Sequence, residues 1–403
     1  MGKAILTGQI MLLINYLYLC DGDLAMKNDR TLETYVQRAI DWTEQLVQIP
    51  SVNPPGREYE VACHCMEILQ GMGIEADFDE YAPGRVNVTA YVGNREDIAL
   101  ILNGHLDVVP APGAWRYDPF SGFNDGKRIW GRGASDMKSG CACMMAALNA
   151  RLDYGEAGGR GICLALTADE ELMGSGIRRM IDRHHPKADA AIIGEPTNLE
   201  LCFGNRGYCS LYIRTKGVAC HACEPENGVN AIYKMGHVIT RLEAYAQEMR
   251  QNTNPQLGHA TFSLGLISGG SSLNAVPAEC EIVIESRGFP GMNVDTLARD
   301  LRSILPADVE IVPRSNLLAS LVPMDSVILQ KARQAYRQVH GKEAIVSSFP
   351  AWSEAGFYTE ICQIPTILFG PGSIARAHRI DEYVEIQQIR DAVKVYDQIL
   401  RMC

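Results

Sequence analysis

Several things that a large chain often carries are missing here, and each absence narrows its chemistry. No stretch supplies the ~20 apolar residues that span a bilayer. The nearest, residues 4–20 (AILTGQIMLLINYLYLC), is interrupted by Gly8, Gln9 and Asn15. It makes a poor signal peptide too, with a single Lys3 ahead of it and no small-residue cleavage site. Residues 1–26 are therefore expected to be an N-terminal extension outside the fold, with Met26 a candidate start. Basic charge is in deficit: 37 Lys and Arg against 48 Asp and Glu leave a net charge of −11. That argues against nucleic-acid partners, because phosphate binding needs clustered Lys and Arg. It leaves small substrates open, since one arginine can hold a carboxylate in an acidic protein.

Paired cysteine spacing is also absent. The thirteen cysteines include Cys63/Cys65, Cys141/Cys143 and the CxxC of Cys220 and Cys223, but none has a matching second pair. Free thiols in a reducing compartment follow as the expectation, hence a cytoplasmic protein with no membrane partner. There is no G-x-S-x-G nucleophile elbow and no H-E-x-x-H pair. GFNDGKR (122–128) lacks P-loop spacing and has no Ser or Thr after Lys127. Internal repeats and low-complexity segments are missing as well.

What is present is a chain of 403 residues, 47% hydrophobic and 21% charged, enough for a substantial core and two or three domains. Val36, Ala39, Ile40, Trp42, Leu46 and Val47 recur at helical spacing over 34–49, before PSVNPPG breaks the pattern. Four short continuous apolar runs follow, at 97–105, 161–171, 189–196 and 364–372, each ending in Gly or polar residues. Such runs suit strands buried on both faces, so the expected class is α/β: a mostly parallel sheet with helices on both sides. Segments 140–152 and 176–185 supply intervening helices. Between 207 and 317 the order changes to β-α-β-β-α-β, a split βαβ unit inserted in the first domain. The expected boundaries are 27–206 and 318–403 for one domain and 207–317 for the insertion.

Ligands in parallel sheets bind at the carboxyl ends of the strands. GHLDVVP places His105 and Asp107 at one such end, on the same face, where a carboxylate can orient an imidazole. Glu170 and Glu171 lie at the next, in TADEELMGSG, and Glu195 at a third, in IIGEPTN. Asp136 precedes a helix in GRGASDMKSGC, and His378 follows the last run. Singly these residues have ordinary readings, as a helix cap, surface acids or a loop histidine. Together, two histidines and four carboxylates at the strand ends of one sheet are donors suited to zinc or cobalt. They are about enough for two ions ~3.5–4 Å apart with one bridging carboxylate.

The motifs GHLDVVP, GRGASDMKSG, TADEELMGSG, GEPT, GVNAI, NAVPAEC, ESRGFP and GPGSIARAHRIDEYV occur in this order over 34–403. In them the chain resembles the zinc amidohydrolase family of acetylornithine deacetylase, succinyl-diaminopimelate desuccinylase, aminoacylase and carboxypeptidase G. The resemblance implies two divalent ions, zinc or cobalt, held by His105, Glu195, Glu171 and His378, with Asp136 bridging. It implies Asp107 as the group orienting His105, Glu170 as general base, and a cis peptide before Met137. The inserted unit is similar to the family's lid and dimerisation domain. By the same resemblance His221 would stabilise an oxyanion, often in the partner's site, while Asn274 and Arg287 would hold the substrate carboxylate. The implied activity is hydrolysis of an N-acyl amino acid by a homodimer. Glu354, where much of the family has Asp, points to the acetylornithine deacetylase branch. The alternatives are a desuccinylase, a dipeptidase or carboxypeptidase, and a non-catalytic relative. This chain departs from the family's small hydroxylated residues around His221, where it has Cys220, Ala222 and Cys223.

Overall fold

The computed structural model describes residues 31–155 and 159–403; the expected N-terminal extension, residues 1–26, lies outside them. In chain order the main elements are α1 (Leu32–Gln48), α2 (Tyr59–Gly71), β1 (Ala76–Ala82), β2 (Arg85–Val92), β3 (Asn94–His105), α3 (Ser139–Asp153), β4 (Arg160–Thr167), α4 (Ser175–His184), β5 (Ala188–Ile193) and β6 (Leu201–Asn205). An inserted unit follows: β7 (Gly207–Lys216), α5 (Ala231–Met249), β8 (Thr261–Gly269), β9 (Glu279–Gly288), α6 (Val294–Ile304) and β10 (Glu310–Leu317). The chain ends with β11 (Ser320–Leu321), α7 (Val327–His340), β12 (Val346–Phe349), α8 (Ala355–Glu360), β13 (Thr366–Leu368) and α9 (Ile386–Arg401).

The large sheet runs β1-β2-β4-β3-β5-β13-β6-β11, with β12 also paired to β6. Its centre, β4-β3-β5-β13, is parallel and contains the four apolar runs. Adjacent strand residues face opposite sides, and here both sides are core. Leu100, Leu102, Leu164 and Ile192 pack with α1, α3 and α9 residues, while Ile101, Cys163, Ala191 and Ile193 pack with α4 and α8. That is why the runs show no alternation. The 364–372 run shortens to β13 because Pro365 has no N–H to pair, and past Phe369 the Gly370 N–H turns to the Thr197 hydroxyl.

Residues of α3 from Ser139 to Arg151 are buried, and Gly, Ala, Ser and Cys make up most of them. A Cβ on Gly140 would sit 2.1 Å from the Gly194 carbonyl oxygen, so only glycine lets this helix approach the end of β5. The approach sets Asp136 and Glu195 on one floor.

The inserted unit is an antiparallel sheet, β8-β9-β7-β10, with α5 and α6 packed on one face through Met235, Val238, Leu242, Leu297 and Leu301. Asn230 caps α5, and Asn293 with Thr296 forms a capping box on α6. Among the described residues no helix is long and apolar enough to cross a membrane.

Candidate metal centre

Each member of the cluster sits just beyond a central strand or on the turn that follows it. His105 closes β3, Glu170 and Glu171 lie on the turn after β4, and Glu195 follows β5 by two residues. His378 reaches in from the loop after β13, and Asp136 from the turn before α3. The structure joins them as two triads that share one residue: His105, Asp136 and Glu195; and Asp136, Glu171 and His378. His105 Nε2 lies 3.2 Å from Asp136 Oδ1, and His378 Nε2 lies 3.4 Å from Asp136 Oδ2. One carboxylate thus presents an oxygen to each imidazole. His378 Nε2 is also 2.9 Å from Glu171 Oε2, whereas Glu170 Oε2 stands 3.8 Å from His105 Nε2. The adjacent glutamates therefore point to different partners.

Asp107 differs from expectation. Its carbonyl oxygen, not its carboxylate, lies 2.9 Å from His105 Nδ1; the nearer carboxylate oxygen is 3.5 Å away. The carboxylate accepts the main-chain N–H groups of Glu170 and Glu171, each at 3.1 Å. The carboxylate thus orients the glutamate turn, while the main-chain carbonyl of the same residue meets the histidine.

The site is short of positive charge. Burial, then Glu195, Glu171 and Asp136, push Glu170 well above the ordinary carboxylate range. Burial and Asp136 do the same to Glu195, whose Oε1 is buried with no hydrogen-bond partner. Burial alone would raise Asp136, but hydrogen bonds from His105 and His378 hold it well below its usual value. Hydrogen bonds to Asp136 and then Glu171 lift His378 to about 10. Four clustered carboxylates, one with an orphaned buried oxygen, and two imidazoles whose Nε2 atoms face them fit a pair of divalent cations.

Behind the cluster stand residues that the sequence reading left without a role. Glu382 Oε1 accepts the N–H groups of Gly133, Ser135 and Asp136 at 3.0–3.1 Å, and its other oxygen pairs with Arg132. Lys138 Nζ donates to the Leu46 and Ile49 carbonyls at 2.8 and 2.7 Å, tying the Asp136 turn to the end of α1. The Asp136–Met137 peptide between them is cis, as the resemblance implied. Glu354 is fully buried, accepts the Thr167 hydroxyl at 2.7 Å and is pushed by burial to about 7.

The inserted unit's candidates are not drawn into this cluster. His221 is exposed and its Nδ1 accepts the Cys223 N–H at 3.2 Å. Asn274 is exposed beside Ser272. The Arg287 guanidinium lies 4.5 Å over the Tyr208 ring. Among the described residues no hydrogen bond or ion pair links these three to the carboxylates.

Comparison with known proteins is consistent with the geometry. Peptidase family M20/M25/M40 matches residues 101–402. An acetylornithine deacetylase of Vibrio vulnificus (strain CMCP6) is 31% identical over 347 residues, covering 82% of this chain and 88% of that protein. Another, of Aliivibrio fischeri (strain MJ11), is 28% identical over 377 residues, covering 89% and 97%. The M20 family metallo-carboxypeptidase Sso-CP2 of Sulfolobus solfataricus shares the fold at a TM-score of 0.74 and 17% identity, over 90% of this chain and 98% of that one. A dinuclear metal-binding peptidase from Bacillus subtilis does so at 0.65 and 15%, over 92% and 98%.

Proposed function

From the premise that the chain belongs to peptidase family M20/M25/M40, and so is a metal-dependent hydrolase, we propose that it cleaves the amide bond of an N-acyl amino acid, acetylornithine being the first candidate. The observation that carries this reading is Asp136 shared between the His105–Glu195 and Glu171–His378 groups. Those five residues would hold two divalent ions, zinc or cobalt by donor type. Such ions lower the pKa of water towards ~7 and polarise an acyl oxygen.

The chain's own residues supply the rest. Glu170, ionised beside the two cations that the five ligands would hold, takes the proton of the attacking water and passes it to the leaving amine. His221 donates from Nε2 to the developing oxyanion. Arg287, with Asn274, holds the substrate's free carboxylate by charge-assisted hydrogen bonds. Because these three stand apart from the cluster, the inserted unit acts as a lid, either closing over the site or reaching a second copy's site.

A homodimer through this unit is supported by β8, an edge strand that exposes Leu266 (67%) and Ile267 (55%), next to a fully exposed Leu273. A bare apolar edge is a pairing surface. The described cysteines are all free, which supports a reducing, cytoplasmic compartment.

The test is a panel of N-acetylornithine, N-succinyl-diaminopimelate, N-acetylmethionine and dipeptides, assayed with zinc- or cobalt-loaded protein. The expected result is the highest kcat/KM on N-acetylornithine. A succinyl or dipeptide preference would move the protein to a sibling activity. No hydrolysis of any member would end the reading.

A further inference from the structure

Asn53 and Arg85 contact no member of the two triads, yet the glutamate turn depends on them. Asn53 is 1% exposed. Its Nδ2 donates to Asp107 Oδ2 at 2.8 Å and to Asp169 Oδ1 at 2.9 Å. A primary amide is a donor at one end and an acceptor at the other. Turned over, it would set its oxygen against two carboxylates. What fixes its sense is Arg85, whose Nη2 donates to Asn53 Oδ1 at 2.9 Å. The same guanidinium donates from Nη1 to Glu58 Oε1 at 2.7 Å and lies 3.1 Å from Asp169 Oδ1.

Both carboxylates that Asn53 addresses hold the turn. Asp107 takes the N–H groups of Glu170 and Glu171. Asp169 begins the turn in the left-handed region, at φ 64°, and its carboxylate accepts the Ser175 hydroxyl at 2.5 Å. Its own N–H reaches Glu58 Oε1 at 3.3 Å. A Cβ on Gly56 would fall 2.3 Å from Arg85 Cζ, so the 53–56 loop is folded around this guanidinium.

We propose that Arg85, acting through Asn53, is a positioning residue that sets the direction of the 169–171 turn and so aims Glu170 and Glu171. Arg85 gives its charge directly to Glu58 and Asp169 and reaches Asp107 only through Asn53, and all three carboxylates are buried. The proposal rests on the assignment of Glu171 to a metal and Glu170 to proton transfer. It differs from those assignments in predicting unequal effects on the two metal positions.

The experiment is calorimetric titration of metal-free wild type, Arg85→Gln, Arg85→Lys and Asn53→Ala with zinc, alongside kcat and KM on the best acyl amino acid. Outer partners of metal ligands typically matter ~10–100-fold in affinity or activity. In Arg85→Gln one of the two zinc affinities should fall by about that factor, the other staying within twofold. The kcat should fall ~10–100-fold with KM nearly unchanged. Arg85→Lys, which keeps the charge, should recover part of both. If Arg85→Gln does not fold, Asn53→Ala is decisive, since it removes the relay while leaving the Arg85 ion pairs. Unchanged affinities and kcat, or equal weakening of both sites together with a lowered Tm, would overturn the proposal. A wild type that binds two zinc ions but hydrolyses nothing would sink the functional reading, while the titration would still decide the role of Arg85.

Discussion

The carboxylate cluster and the inserted unit's trio, to which the proposed function gives complementary tasks, are built in opposite ways. Asp136, Glu170 and Glu195 are buried, and His105 is 1% exposed, each fixed by neighbours from several strands. His221 and Asn274 lie on an exposed surface, in two loops that pair with each other through the Ala222 N–H and the Asn274 carbonyl at 2.9 Å. The first is complete within one chain apart from positive charge. The second has no contact with the first within this chain's described residues. Preorganisation is therefore concentrated where charge must be held.

The comparison breaks first at Asp136, which belongs to both triads. Asp136→Ala should abolish hydrolysis and leave neither ion bound, read by metal analysis of the purified protein; retention of two ions would mean that the triads are not the ligands. Glu170→Gln should cut kcat by ~10²–10⁴ while both ions remain, separating proton transfer from metal binding. His221→Ala should cost ~10²–10³ in kcat without altering metal content. If His221 serves a partner's site, mixing that variant with Glu170→Gln should restore about a quarter of wild-type activity, because half the dimers are mixed and each has one intact site. A His221 variant as active as wild type would erase the contrast, reducing the trio to ordinary surface.

The smallest effect sharpens the electrostatic side. Asp79 is a carboxylate with its own cations: Arg179 Nε and Nη2 donate to it at 2.8 and 3.1 Å, and Arg183 adds a third contact at 3.3 Å. The Arg179 hydrogen bonds hold its pKa below the usual value. A folded-state pKa below the unfolded one gives stability that is present above about pH 4 and lost as pH falls through the lower folded value. Asp79→Asn should therefore lower Tm slightly at neutral pH, by an amount worth under ~1 kcal/mol, with the difference closing below about pH 4. A difference that widened in acid would reverse the sign of this ion pair.

Much of the architecture was legible because the signal is local. Continuous apolar runs marked β3, β4, β5 and β13, and the residues that end or follow them, His105, Glu171 and Glu195, are the donors that meet. The insertion's βαββαβ order was readable from its alternating strands and periodic helices. Asn53, Arg85, Lys138 and Glu382 were not, because each acts on a partner far along the chain. Glu382 takes the N–H of Asp136 across 246 residues, and Asn53 reaches Asp169 across 116. No spacing rule connects such pairs. A buried Asn or Lys looks from sequence like any polar loop or helix residue. The role of Asp107 was half visible: its place beside His105 could be read, but not the N–H groups it collects from the glutamate turn.

The position of β13 has a consequence for how the molecule is made. This strand of Thr366–Leu368 pairs with β5 on one side and meets β6 on the other, so a central slot of the sheet is filled by residues near the end of the chain. During synthesis the open flank of Ala191–Ile193 waits for more than 170 further residues, and the metal centre waits longer still for His378. The nascent chain can complete its inserted unit, whose contacts are more local, well before the carboxylate cluster is complete. Loss of the last forty residues would thus leave a folded insertion, an unpaired apolar strand edge and no hydrolase.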